Sequence, residues 1–341
     1  MAAIRAFLRP AYLISFLCGA VLFGAAGWFL AQDVFPKNND GKVLFESSNR
    51  NYTYIDPLLA CDVGTEDSFT DLKPLKEKLT SLINKSNSDG STQTVSVYFR
   101  SLKGAHWFDI NPTTTYAPAS LLKTFVLLAY LKEVDDENNP ALLQKQITFQ
   151  ASSDMVDNPG EIIPHLTAGH SYSVNQVITQ LIQYSDNDAL ATLTANMDQQ
   201  GIMSLNEIFT DLQITPLTQS NENAYRMPVD QYAMIFRVLY GSTYLSRQYS
   251  EMALGLLSKA HYSGGIVSGV PAGTVVAHKF GVSNQPGDQE LHDCGIVYYP
   301  SHPYLLCVMT RGTDFQKLQE TIKAISAAAY QDQQRRHPQS A

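Results

Sequence analysis

Serine and lysine stand three residues apart in Tyr116-Ala117-Pro118-Ala119-Ser120-Leu121-Leu122-Lys123, where a proline-containing loop runs into an apolar helical stretch. At a helix start Ser120 meets the positive end of the dipole and free N–H groups, and Lys123 shares its face within reach of the hydroxyl. A serine hydroxyl attacks a carbonyl well only when a base takes its proton, and a desolvated lysine can be that base. The pair suits acyl transfer, although a capping serine beside a solvent-facing lysine gives the same spacing. Ser185-Asp186-Asn187 follows an expected helix, Val174 to Tyr184. Ser185 can relay a proton and Asn187 can offer its amide to a substrate carbonyl, while the tripeptide is also good capping and turn chemistry. His278-Lys279-Phe280-Gly281 ends a strand candidate. Lys279 there can hold a substrate carboxylate and Gly281 lets a ligand approach the backbone, or the lysine only protects a sheet edge.

Those residues need elements to hold them. Leu72 to Ile83 has the spacing of an amphipathic helix, and Asn84 to Ser91 reads as a turn cluster. Thr94 to Arg100 alternates as a strand, with Ala105 to Ile110 as its hairpin partner. Thr274 to Phe280, Asp293 to Tyr299 and Tyr304 to Met309 are further strands, followed by a helix over Phe315 to Tyr330. Between the two strand groups, Leu121 to Leu257 is dominated by helical patterns, among them Leu121 to Leu131 and Val229 to Tyr240. Strands from both ends of the chain around a helical block predict an α/β fold. It is a sandwich of an antiparallel sheet with flanking helices plus an all-helical lobe, with the site at their seam.

Taken in order, the three stretches resemble the penicillin-recognising serine hydrolases, the superfamily of serine β-lactamases and D-Ala-D-Ala peptidases, whose set is S-x-x-K, S-D-N and K-T-G. The likeness runs from about Leu72 to Tyr330. It includes Val270-Pro271-Ala272-Gly273-Thr274 and the Cys294 to Met309 hairpin, both similar to the class A β-lactamase pattern. The resemblance implies Ser120 as nucleophile, Lys123 as its base, Ser185 as proton shuttle, and Asn187 and Lys279 as substrate-binding groups. It also implies an oxyanion hole from the Ser120 N–H and an N–H just after Gly281, that of Val282. The reaction is attack on a strained lactam or a peptide carbonyl, then hydrolysis or transfer of the acyl group, with neither metal nor cofactor required. The substrate is then a β-lactam or a cell-wall peptide.

Two positions depart from that pattern. Phe280 stands where the third motif has a hydroxyl that helps hold a substrate carboxylate. The glutamate that activates the deacylating water in class A enzymes has only Glu222 as a candidate in the loop Thr215 to Met227, and without the expected companion asparagine spacing Glu222 reads better as an ordinary surface residue. Without such a base the acyl-enzyme persists, which gives a slow hydrolase or a covalent binder. A D-alanyl-D-alanine peptidase and a non-catalytic binding module of the same fold are the alternatives.

Composition and charge set the outer bounds. With 44% hydrophobic and 16% charged residues the chain is globular, and a net charge of -8 without a Lys/Arg stripe excludes a nucleic-acid partner. Ala11 to Ala31 carries no charge and is long enough to cross a hydrocarbon core of ~30 Å. Arg5 and Arg9 precede it and Asp33 follows, so a single-pass membrane anchor is expected, with the N-terminus cytoplasmic and the remainder extracytoplasmic; a cleaved signal peptide is the competing reading. The expected layout is a cytoplasmic segment 1–10, a transmembrane helix 11–31, a spacer 32–70, partly ordered near Tyr52 to Val63, a hydrolase domain 71–330 and a disordered tail 331–341. Cys18 lies in the apolar run and Cys61 reads as structural. Cys294 and Cys307 flank a turn at Tyr299 to Pro303, so either a disulfide or two buried thiols fits.

Overall fold

In a computed structural model, residues 52–56, 70–104, 106–150, 165–215, 217–218, 225–285 and 288–338 are described. In chain order the elements are α1 (Lys73–Ser88), β1 (Thr94–Ser101), β2 (Trp107–Ile110), β3 (Thr115–Tyr116), α2 (Lys123–Asp136), β4 (Gln146–Thr148), β5 (Ser171–Ser173) and α3 (Val174–Gln183). They continue with α4 (Asn187–Gln200), α5 (Leu205–Asp211), β6 (Leu217–Thr218), β7 (Tyr225–Pro228), α6 (Val229–Tyr240) and α7 (Arg247–Leu257). The last are α8 (Gly265–Ser268), β8 (Val276–Gln285), β9 (Asp288–Val297), β10 (Tyr304–Gly312) and α9 (Phe315–Arg336).

Five strands form an antiparallel sheet in the order β2-β1-β10-β9-β8, so both ends of the domain share one sheet, as the sequence predicts. Successive strand residues point to opposite faces, and here each face has a core. Val95, Val97 and Phe99 of β1 pack with Leu306 and Val308 of β10 against Leu75 and Leu79 of α1 and Ile322 and Ile325 of α9. Tyr98, Leu305 and Cys307 instead join the core of the helical lobe. At the centre of that lobe α2 is buried from Lys123 through Leu131, and a helix apolar on all sides belongs in an interior. Cys294 and Cys307 are cross-strand partners on β9 and β10 and form a disulfide.

Several boundaries differ from the sequence expectation for identifiable reasons. Helix α1 runs on to Ser88, through part of the expected turn cluster, because Ser86 is buried and its hydroxyl pairs with Thr321 on α9 (2.9 Å). The third-motif strand starts at Val276 and continues to Gln285, so Lys279 sits inside β8 rather than at its end. The expected disordered tail from 331 is corrected: α9 continues to Arg336, where Asp332 and Gln333 are buried and Asp332 pairs with Arg336 (2.6 Å). Within the expected spacer, Tyr52–Asp56 is held by Glu251, whose carboxylate accepts the N–H groups of Thr53, Tyr54 and Ile55 at 2.6, 2.9 and 3.1 Å. No helix among the described residues is long and apolar enough to cross a membrane, and the run at 11–31 lies outside them. Ala105, Cys18 and Cys61 are likewise outside the described residues.

Candidate active site

Ser120 lies in a 3-10 turn, Ala119–Leu122, that leads straight into α2. Residues three apart eclipse in a 3-10 turn, which puts Ser120 and Lys123 on one side more closely than an α-helix start would. Ala119, just before the serine, has a left-handed φ of 48°, a conformation that costs a non-glycine residue about 1–3 kcal/mol and persists only where its surroundings hold it. The hold comes from β9. Ala117 donates its N–H to Glu290 Oε2 (2.8 Å), and His292 Nε2 lies 3.0 Å from the Ala117 carbonyl. Thr310 donates its N–H to His292 Nδ1 (3.3 Å), so the ring proton belongs on Nε2, where it points at Ala117.

Glu290 is itself buried, and its Oε1 accepts from Arg226 Nη2 (3.0 Å) and from Arg311 Nη2 (2.7 Å) and Nε (2.9 Å). Burial alone would raise its pKa; hydrogen bonds from His292, Arg311 and the Ala117 N–H outweigh that and bring it to about 2. A carboxyl depressed in the folded state stabilises above its unfolded pKa and loses that contribution as pH falls through the folded value. Thermal stability of the protein is therefore expected to drop between about pH 4.5 and pH 2 more steeply than that of Glu290→Gln, as melting curves over that range would reveal. Equal slopes would remove the carboxylate from this role.

Lys123 is 1% exposed, and its ammonium donates to the Ser185 carbonyl, to Ser185 Oγ (3.2 Å) and to Asn187 Oδ1 (2.7 Å). Ser185 occupies the link between α3 and α4 with a left-handed φ of 58°. Asp186 caps α4, accepting from Ala189 N–H at 2.9 Å. The Asn187 amide oxygen accepts from Lys123, and it is the NH2 end of such an amide that can donate to a carbonyl.

Lys279 is also 1% exposed; its ammonium donates to Ser185 Oγ (2.9 Å) and to the Phe280 carbonyl (2.9 Å). A hydroxyl has two lone pairs and one hydrogen. With both lysines directed at the oxygen, the Ser185 proton is left to point elsewhere. Gly281 brings β8 against the Ser120 turn: a Cβ there would lie 2.7 Å from the Pro118 carbonyl and 3.2 Å from the Leu121 nitrogen. Val282 follows on the same strand. Gly281→Val is expected to fold yet lose about 100-fold in acylation rate by pushing the Ser120 turn aside, measurable by labelling kinetics beside a melting curve.

The structure thus joins Lys123, Ser185, Asn187 and Lys279 through hydrogen bonds and lays Gly281 against the turn that carries Ser120. Glu222 lies outside the described residues. Glu290, His292 and Arg311, which anchor the loop before Ser120, were not singled out by the sequence, because Glu290 and His292 stand in a polar run, Asp288 to Asp293, that carries no apolar strand pattern. One trio among the described residues, His165, Asp186 and Asp188, brings possible metal-ligand atoms within 4.8 Å of one another. Both Asp186 oxygens already accept hydrogen bonds, from Ala189 N–H and from Gln180 Nε2 (3.0 Å), so its place is explained by the helix cap.

Residues 74–333 match the family described as the beta-lactamase enzyme family. No curated protein matches the chain. Among solved structures, a variant of PBP-A held as an acyl-enzyme complex with penicillin G is similar at TM-score 0.63 and 20% identity, over 77% of this chain and 97% of that one. TLA-3 extended-spectrum beta-lactamase gives TM-score 0.64 and 20% identity over 75% of this chain and 98% of its own. A beta-lactamase from Sphaerobacter thermophilus gives 0.62 and 20% over 75% and 96%. At these identities the likeness is one of fold.

Proposed function

The chain belongs to the beta-lactamase enzyme family, and on that basis we propose that it is a serine hydrolase that opens a β-lactam or related amide through an acyl-enzyme on Ser120. The observation that carries this reading is the convergence of three motifs far apart in sequence, with Lys123 and Lys279 both donating to Ser185 Oγ. In the proposed cycle Lys123, in its neutral form, takes the Ser120 proton as Oγ attacks the carbonyl carbon. The second ammonium, on Lys279, favours a neutral Lys123 because two like charges converge on one oxygen. Negative charge on the carbonyl oxygen is met by the N–H groups of Ser120 and Val282. The carbon–nitrogen bond then breaks as Ser185 passes its proton to the leaving nitrogen and recovers one from Lys123. Water releases the acyl group, or an amine accepts it.

The same steps serve a D-alanyl-D-alanine peptidase acting on cell-wall peptides. Such a peptide carries a carboxylate beside its scissile bond as penicillin does, so the missing hydroxyl at Phe280 bears on both readings alike. We place the catalytic domain outside the cell membrane, anchored by the run at 11–31 with the N-terminus cytoplasmic. The Cys294–Cys307 disulfide supports that location, because such bonds persist in oxidising compartments.

The test is intact-mass spectrometry of the full-length protein in detergent, incubated with a β-lactam and its ester and sampled over time. Lactam opening loses no atoms, so the expected gain is the mass of the whole compound, and it should decay slowly if no efficient deacylating base is present. Absence of any gain from either compound counts against a lactam as substrate, and absence of labelling of Ser120 by a fluorophosphonate as well counts against the acyl-enzyme.

A further inference from the structure

Phe280 is 4% exposed, and its ring is stacked on that of Tyr262, centroids 4.1 Å apart and 23° from parallel. Tyr262 comes from the loop after α7, which is tied to the Ser185 link by the His261 N–H donating to the Gln183 carbonyl at 2.7 Å. The tyrosine ring sits in a shaped place. A Cβ on Gly264 would lie 2.6 Å from it, so only glycine lets the ring lie there, and its hydroxyl donates to Gln319 Oε1 on α9 (3.3 Å). On the other side, Lys279 Nζ stands 4.4 Å from the centroid of the Phe280 ring.

This arrangement accounts for the hydrogens of both lysines. Those of Lys279 face Ser185 Oγ, the Phe280 carbonyl and the negative face of the Phe280 ring, and such a cation–π contact strengthens with desolvation. Those of Lys123 face the Ser185 carbonyl, Ser185 Oγ and Asn187 Oδ1. Arg226 and Arg311 are committed to Glu290. An anion brought to this wall would meet the partly exposed ring of Tyr262, whose faces are negative, and would lose its water without gaining a strong donor. A neutral ester, amide or ring would instead gain contact with the partly exposed Tyr262.

We propose that Tyr262 and Phe280 form an aromatic specificity wall that selects acyl donors without a carboxylate beside the scissile bond, so that the substrate is an uncharged amide or ester. The proposal rests on the acyl-enzyme reading of Ser120 and narrows its substrate. Its test compares benzylpenicillin with benzylpenicillin methyl ester as acylating agents of the full-length protein. Rates are read by intact mass, each normalised to the compound's hydroxide-catalysed hydrolysis. The ester is expected to acylate at least about tenfold faster than the acid, and Phe280→Thr, which restores a hydroxyl, should shrink that ratio by about tenfold. An acid as fast as the ester in the wild-type protein overturns the proposal, and so does an unchanged ratio in the folded variant. If the variant does not fold, the wild-type ratio still decides. An ester that fails while a fluorophosphonate still labels Ser120 defeats the specificity wall alone; failure of the fluorophosphonate defeats the acyl-enzyme reading with it.

Discussion

Ser120→Ala is expected to lower the rate of covalent labelling and of amide or lactam hydrolysis by about 10^4-fold or more, because removing a nucleophile leaves only binding and oxyanion stabilisation to act. Stability should change by no more than about 0.5 kcal/mol, since the side chain is small and only partly buried and the lost group is a hydroxyl. The two readouts belong together. A melting curve that is unchanged beside labelling that has vanished assigns the effect to chemistry, whereas equal labelling of wild type and variant would place the reactive group elsewhere. A binding module without catalysis predicts no covalent labelling of either protein and a ligand affinity that Ser120→Ala leaves unchanged, so a binding measurement on the same pair separates it from the enzyme.

Lys123→Met is expected to slow acylation by about 10^2- to 10^4-fold, the range general-base removal covers. It should also destabilise the protein by about 1–3 kcal/mol, because the Ser185 carbonyl and Asn187 Oδ1 lose a buried donor that methionine cannot replace. Lys123→Arg tells charge from basicity. A guanidinium keeps the positive charge but does not give up its proton, so a base at this position predicts that arginine fails as methionine does. Recovery of the rate with arginine would mean that Lys123 works by charge alone. Labelling kinetics of both variants, normalised to the folded fraction, provide the measurement.

Much of this arrangement was legible in the sequence because it is local. The i, i+3 spacing of Ser120 and Lys123, the Ser185-Asp186-Asn187 link after an amphipathic helix and a lysine followed by Phe280-Gly281 in a strand each follow from a few adjacent residues. The architecture of a sheet with flanking helices plus a helical lobe followed in the same way, from strand patterns at both ends of the chain and helical ones between. What escaped detection depends on contacts across long separations. Glu290 reaches Ala117, 173 residues away, and nothing beside either residue announces the pair. The ring of Tyr262 is placed by Phe280, Gly264 and Gln319, contributed by different segments. Helix α9 outran its expected end for a related reason: its last turn is polar in sequence, yet Gln333 is buried and Arg336 pairs with both Asp332 and Asp71. The cysteine pair was undecided until strand register set Cys294 opposite Cys307.

Peptide mapping of the fluorophosphonate-labelled full-length protein tests the central claim most directly, namely that a serine activated by Lys123 and served by the Ser185 hydroxyl is the reacting group. A single phosphonate on the peptide that contains Ser120, strongly reduced in Lys123→Met, is the result predicted. A label on any other residue, or none on a protein shown to be folded, would contradict it.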